Sequence, residues 1–352
     1  MGFIRKRRPV KSTRLVTAKA AARATVISTP HIAPVSLPIT AGKLGEDMGI
    51  SAGPWATLAE LDGIAELGLG WVRVSHEMGW NSGPGSLDAL QVTVTEAAKR
   101  GLKVLQAIQK SPHVYSTTDI RGLTDFAIRC AQTGVSALEI GNEWNNSPTF
   151  WQPQEWPPVT DTLISSQVTA QVRSMFPSLS IISGGLSPYA MPYSPYNYWP
   201  AWWDSAPTAQ AAAGYHAYGL HPYCYPESPS SMMTHPEWNP WAGVDDMRRA
   251  MFLRNTTTSI WFTEVGCPGF ATNAPVVRGV AMTEQLQATN TATYLDQWQL
   301  LSLPGEPIFI ATLNDGDSAT TSLERGLGLI RVDGSKKPAY TVVKDRASLT
   351  YK

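Results

Sequence analysis

Short apolar runs and amphipathic segments alternate along this chain eight times, and few folds accommodate that pattern. The runs are Leu44–Ile50, Trp71–Ser75, Val104–Ile108, Ala137–Ile140, Leu179–Ser183, Tyr215–Leu220, Ile260–Thr263 and Ile308–Leu313. Between them lie stretches with apolar positions near the helical period: Ala56–Leu67, Leu87–Arg100, Asp119–Gln132, Thr160–Met175, Val244–Arg254 and Glu284–Leu301. A closing helix is expected around Pro338–Ala347. Glycines follow two of these stretches, at Arg100–Gly101 and Thr133–Gly134, as helix termination requires. Strands separated by helices imply parallel β-α-β crossovers. Eight of them over about 300 residues favour an α/β fold of the (β/α)8 barrel type over an open sheet. Neither Gly-rich phosphate fingerprint, GxGxxG or GxxxxGKS, is present, which argues against the nucleotide-binding open sheets.

Composition narrows the class further. Hydrophobic residues make up 43% of the 352 and charged residues 16%, too apolar for a disordered chain. No apolar run approaches the ~20 residues of a bilayer span. The formal net charge of zero conceals an asymmetry. Residues 1–45 hold nine Lys or Arg and no acid, so residues 46–352 carry a net charge of −9. The expected organisation is a basic arm over residues 1–40, bounded by the Pro/Ser/Thr-rich stretch Thr29–Thr40, and a barrel over residues 41–352. An acidic globule does not suit nucleic acid, which wants a basic face on the folded domain. The arm suits a partner-bound tail that could seat the barrel in a larger assembly, such as a bacteriophage tail; a targeting segment is the alternative.

Active sites of such barrels form at the C-terminal strand ends. The fourth run ends Glu139-Ile140-Gly141-Asn142-Glu143-Trp144, and the seventh ends Thr263-Glu264-Val265-Gly266. Two carboxylates thus emerge across the barrel mouth from each other, the pairing that glycosidic cleavage requires. Glu139, four residues before Glu143, falls on the same strand face but deeper, as a barrel-interior partner.

These residues resemble the clan A glycoside hydrolases, retaining barrels with an acid/base after strand four and a nucleophile after strand seven. Arg73 in WVRVS, His221-Pro222-Tyr223 after strand six, and the tail from Gly326-Leu327-Gly328 to Lys337-Pro338-Ala339-Tyr340 agree with the clan over roughly residues 44–345. Strand eight departs from it, since Ile310-Ala311-Thr312-Leu313-Asn314-Asp315 carries no Trp. The resemblance implies a retaining glycoside hydrolase with Glu143 as acid/base and Glu264 as nucleophile, ~5–5.5 Å apart. Burial and the neighbouring Glu264 would raise the pKa of Glu143. Arg73 and Tyr223 would donate to Glu264, and Asn142 would meet the sugar 2-OH. Arg73 could instead pair with a structural carboxylate, and His221 could be a satisfied core histidine. No cofactor is implied, and no metal, since His216 and His221 point to opposite strand faces.

Thirteen tryptophans are many for this length, and they crowd the segments after strands four to six. Trp144, Trp151 and Trp156 follow the fourth; Trp199, Trp202 and Trp203, with Tyr189, Tyr193, Tyr196 and Tyr198, follow the fifth; Trp238 and Trp241 follow the sixth. Such rings can stack on sugars or build loop mini-cores. The substrate-binding set expected is Arg73, Asn142, Trp144, His221, Tyr223, Trp202, Trp203 and Asn314, with a carbohydrate as the partner. The alternative function is a carbohydrate-binding or structural barrel without turnover. Cys224 and Cys267, each three residues beyond a candidate site residue on adjacent strands, could bridge, or could stay two thiols on diverging loops. A bridge would fit an extracellular or virion setting. Cys130 is expected to pack as a small hydrophobe.

Overall fold

The computed structural model describes residues 42–78, 84–110, 117–143, 165–186, 214–223, 225–226, 228, 240–253, 258–316 and 323–351. Eight parallel strands close a barrel: β1 (Met48–Ser51), β2 (Trp71–Met78), β3 (Lys103–Lys110), β4 (Ala137–Ile140), β5 (Ser180–Leu186), β6 (Ala217–Leu220), β7 (Ser259–Val265) and β8 (Ile308–Ile310). Sequential strands are neighbours, and β1 pairs with β8 through Met48↔Ile308 to complete the ring. Seven helices are described outside it: α1 (Leu58–Glu66), α2 (Pro84–Lys99), α3 (Thr117–Gln132), α4 (Ala170–Met175), α5 (Pro240–Leu253), α6 (Glu284–Leu301) and α7 (Pro338–Ala347). The (β/α)8 expectation therefore holds. No helix among the described residues is long and apolar enough to cross a membrane.

Several boundaries differ from the sequence pattern, three of them with local causes or consequences. The first half of Leu44–Ile50 is a 3-10 turn, Leu44–Asp47, whose backbone bonds to the residue before β2 (Gly70 N to Gly45 O, 2.7 Å) and to the chain after α7 (Leu44 N to Leu349 O, 2.8 Å). A side chain at Gly45 would lie 2.1 Å from the Gly68 carbonyl oxygen, so this close approach admits only glycine. Thr160–Met175 is helical in its described part as a π-type turn, Ser165–Thr169, that runs into α4. Ile308–Leu313 pairs as a strand only to Ile310, where β8 reaches the barrel rim.

Two layers fill the barrel. At the N-terminal end Trp71, Leu105, Ala137, Ile182, Ala217, Trp261 and Phe309 form an apolar plug. Trp71 meets Trp261 edge to face at 5.3 Å and Phe309 at 6.1 Å, favourable aromatic geometry. Above it the interior turns polar, with Arg73, Glu139 and Thr263 all buried. The larger core lies between strands and helices. Cys130 sits in it as a buried free thiol, as expected of a small hydrophobe. Trp241, grouped by sequence with the sugar-facing aromatics, belongs to this core instead. It opens α5 and stacks on Phe262 at 5.2 Å, 2% exposed.

Candidate active site

Strand alternation explains half of the site. Arg73 follows Trp71 on the inward face of β2, and Glu139 follows Ala137 on that of β4. Arg73 Nε donates to Glu139 Oε2 at 2.6 Å, and its Nη1 donates to Glu264 Oε1 at 2.7 Å. Both readings of Arg73 are thus satisfied by one guanidinium, which holds a structural carboxylate and a candidate catalytic one.

Irregular registers explain the other half. Thr263 and Glu264 are adjacent, so regular alternation would send one of them outward. Phe262 pairs with Ile308 and Val265 with Ile310, leaving β7 one residue longer than β8 between those points. Such a bulge re-aims side chains. Thr263 reaches Glu139 (2.9 Å) while Glu264 reaches Arg73 and the Tyr223 hydroxyl, which donates to Oε2 at 3.0 Å. Strand β5 carries the matching irregularity between Ser183 and Leu186, at Gly184 and Gly185. A side chain at Gly184 would lie 2.4 Å from the Gly141 backbone, and one at Gly185 would lie 2.0 Å from His221 Nε2. The same segment holds the acid/base candidate, since Gly185 O accepts from Glu143 N at 2.7 Å. Glu143 itself has φ 44°, an uncommon conformation for a side-chain-bearing residue and one that accompanies functional strain.

His221 ties the two carboxylates together. Its Nδ1 lies 3.0 Å from Glu143 Oε1 and 3.7 Å from Glu264 Oε2; its Nε2 lies 3.1 Å from Thr263 Oγ1 and 3.8 Å from Glu139 Oε1. His216, on the opposite strand face, instead accepts from Ile181 N. Arg73, Glu139, Thr263 and His221 are buried, whereas the Glu143 and Glu264 side chains are each 24% exposed. Only the two glutamates of this set present their oxygens to the mouth.

The burial makes charges here interdependent. Desolvation opposes charge on Arg73, but Glu139 and Glu264 outweigh it and hold the guanidinium well above its ordinary value. Burial likewise opposes the Glu139 carboxylate, yet Arg73 and His221 bring it down to about 2. For His221 the burial penalty is overcome by Glu264, Glu139 and Glu143, which push the imidazole up to about 10. Burial and the two carboxylates Glu264 and Glu143 raise the Tyr223 phenol, so it stays a donor.

Asn142 lies half-buried beside Glu143. Asn314 is exposed and its amide donates to Glu60 Oε1 at the start of α1, so the described contacts do not bring it to the carboxylates. Trp144, Trp202 and Trp203, the other aromatics after strands four and five, Trp238, Cys224 and the arm lie outside the described residues. The bridge weighed for Cys267 is not formed. Its thiol is free and buried, turned beneath α6, where Asn290 Nδ2 donates to Sγ at 3.6 Å. Sequence reasoning missed Thr263 and the Gly184–Gly185 pair. The latter's signal is two adjacent glycines inside a strand run, the mark of a bulge or close backbone approach.

No family profile matches the chain, and no curated protein matches its sequence. Solved structures do. A family 39 glycoside hydrolase from Bacteroides cellulosilyticus WH2 superposes with TM-score 0.60 at 18% identity, over 86% of this chain and 64% of that one, so this chain spans under two thirds of it. An endo-beta-1,4-glucanase from Xanthomonas axonopodis pv. citri gives 0.55 at 13% identity, over 86% and 98%. A GH5_18 protein from Streptomyces cattleya, in complex with Manb1-4GlcNAc, gives 0.55 at 16% identity, over 82% and 74%. A family 51 alpha-L-arabinofuranosidase from Bifidobacterium longum gives 0.55 at 12% identity, over 88% and 74%. The chain therefore shares the fold of these solved structures, a closed parallel barrel.

Proposed function

We propose that the protein is a retaining glycoside hydrolase with Glu264 as nucleophile and Glu143 as acid/base. The observation that carries this reading is the convergence of both carboxylates on the one Nδ1 of His221. Two oxygens within these distances of one atom cannot stand farther apart than the sum of 3.0 and 3.7 Å. That spacing favours the ~5–5.5 Å of retention over the ~6.5–9.5 Å that inversion needs for an intervening water.

The roles divide by partner. Each Glu264 oxygen accepts a hydrogen bond, from Arg73 and from Tyr223, an arrangement suited to a carboxylate nucleophile. Glu143 meets a titratable ring nitrogen, with which it can exchange a proton. In the first step Glu264 bonds to the anomeric carbon, while the glycosidic oxygen takes the Glu143 proton and leaves as an alcohol. In the second, Glu143 accepts a proton from water, whose oxygen displaces Glu264 from the sugar. Asn142, next to Glu143 in sequence, would meet a sugar hydroxyl.

A panel of chromogenic aryl glycosides tests the reading. Turnover by the wild type, its abolition in Glu264→Ala, and retention of activity by Glu143→Ala on good leaving groups alone are expected. Equal losses in Glu143→Ala on all leaving groups would refute the acid role. Saccharide binding without turnover on any member would mark a binding barrel instead.

A further inference from the structure

The polar layer beneath the two carboxylates contains a one-way chain of hydrogen bonds. Glu139 sits fully buried, its Oε2 taken by Arg73 Nε and its Oε1 accepting from Gly185 N at 3.0 Å and from Thr263 Oγ1 at 2.9 Å. A carboxylate so surrounded by donors can only accept. Thr263 has a single hydroxyl proton, and Glu139 takes it. The same Oγ1 lies 3.1 Å from His221 Nε2, so it is left as the acceptor and Nε2 must carry a proton. On the far side of the ring, Nδ1 meets Glu143 Oε1 at 3.0 Å with one proton for two acceptors.

We propose that Glu139 and Thr263 are positioning residues that lock the neutral His221 ring in its Nε2–H form and thereby retain the proton that His221 Nδ1 shares with Glu143 as the catalytic one. This rests on the assignment of Glu143 as acid/base. With Nε2 protonated, removing the proton between His221 and Glu143 leaves a ring lone pair facing a carboxylate, an unfavourable contact. Were Nε2 free to lose its proton instead, the neutral ring would turn its N–H to Nδ1 and donate to the Glu143 anion. The lock removes that escape, and the shared proton persists to higher pH. The charged and titratable groups around the ring are Glu139 and Glu143 from β4 and its tip, Glu264 from β7, and Tyr223 beyond β6; Arg73 from β2 binds two of these carboxylates. Among the described residues the other acceptor near Nε2 is Glu139 Oε1, which at 3.8 Å is beyond hydrogen-bond reach and already accepts from Gly185 N and Thr263 Oγ1.

Two measurements on the full chain test this separately from the glycosidase reading. Proton–nitrogen correlation NMR on ¹⁵N-histidine protein reads each ring nitrogen, and His221→Gln identifies the signal among six histidines. A protonated Nε2 at His221 that persists when the ring loses its charge at alkaline pH is expected, whereas in Thr263→Val the neutral ring should keep its proton on Nδ1. An unprotonated Nε2 in the wild type overturns the proposal whether or not any glycoside is cleaved, and needs no variant to fold. The second measurement is the pH profile of kcat/KM on a substrate with a poor leaving group. The alkaline limb of Thr263→Val should move down by about one pH unit, the worth of one hydrogen bond, and Thr263→Ser should restore it. Reduced turnover with an unmoved limb would make Thr263 merely structural. Absence of turnover on every glycoside refutes the glycosidase assignment on which the proposal rests, while the NMR result still decides the tautomer.

Discussion

Replacing Arg73 with methionine removes the closer of the two cations that face Glu139, leaving His221 3.8 Å away. The guanidinium is 4% exposed and its two bonds, 2.6 and 2.7 Å long, run to different carboxylates from different nitrogens. Methionine fills a similar volume, so the loss is electrostatic. Glu139 remains, fully buried, with the Gly185 N–H and the Thr263 hydroxyl on one of its oxygens and His221 Nε2 3.8 Å from it. Stripping one member from a buried ion pair typically costs about 3–5 kcal/mol, a large share of the roughly 5–15 kcal/mol that holds a domain folded. The sign of the pH dependence follows. In the wild type the Glu139 carboxyl sits near 2, below its unfolded ~4.3, so its contribution is full above ~4.3 and disappears as pH falls towards 2. Without Arg73, burial is opposed by His221 alone, so that carboxyl should rise and become a burden at neutral pH that protonation relieves. Urea unfolding of both proteins should therefore show the largest gap near pH 7 and a smaller one near pH 4. Removing Glu139 as well, as Arg73→Met/Glu139→Leu, should recover most of the loss. A gap under about 1 kcal/mol at pH 7, or one unchanged down to pH 4, would refute this account of the layer.

Three further outcomes are expected. His221 is raised to about 10, so its share of stability is complete below ~6.5 and declines as pH rises towards 10; urea titrations should show this slope in the wild type and not in His221→Asn. Gly185→Ala places a methyl 2.0 Å from His221 Nε2, and should cost about 1–3 kcal/mol in unfolding experiments while displacing the His221 NMR signals; unchanged signals would contradict the close approach. Lys337, 2% exposed, donates Nζ to Asp315 (2.7 Å), Gly269 O (2.7 Å) and Gly326 O (3.0 Å), so Lys337→Met should lose about 3–5 kcal/mol, read by the same titration.

The barrel was legible because a buried parallel strand and an amphipathic helix have different periods, and the two alternate here with short punctuated links. Ala137–Ile140 and Glu284–Leu301 match their sequence patterns end to end for that reason. Glu143, Glu264, Arg73, His221 and Tyr223 were legible because each lies at or near a strand end or on an inward strand position. Thr263 was not, since its inward aim depends on a register shift between β7 and β8 that no local period records. Trp241 and Cys267 were misplaced for a related cause. A residue just past a strand or at the start of a helix can turn to the mouth or to the core, and only the paths of neighbouring elements decide which.

The two interior layers pose one packing problem and answer it differently. At the N-terminal end of the barrel Trp71, Trp261 and Phe309 fill the space with apolar rings, so this barrel does not require charge to close. One step along the same strands the positions hold Arg73, Glu139 and Thr263, with His221 above, all buried. Buried ion pairs are often no more stabilising than apolar residues of equal volume, because desolvation offsets their attraction. Stability therefore does not account for the polar layer. Its bonds do have a direction: donors run from Arg73 and Thr263 into Glu139, and from Arg73 and Tyr223 into Glu264, leaving His221 and Glu143 to share what remains. Fixed donors set before any substrate arrives are what a reaction with developing charge gains from, since they need no reorganisation when that charge appears. Local rules of folding are broken where chemistry is performed, and here the break lies one layer below the two glutamates that face the mouth.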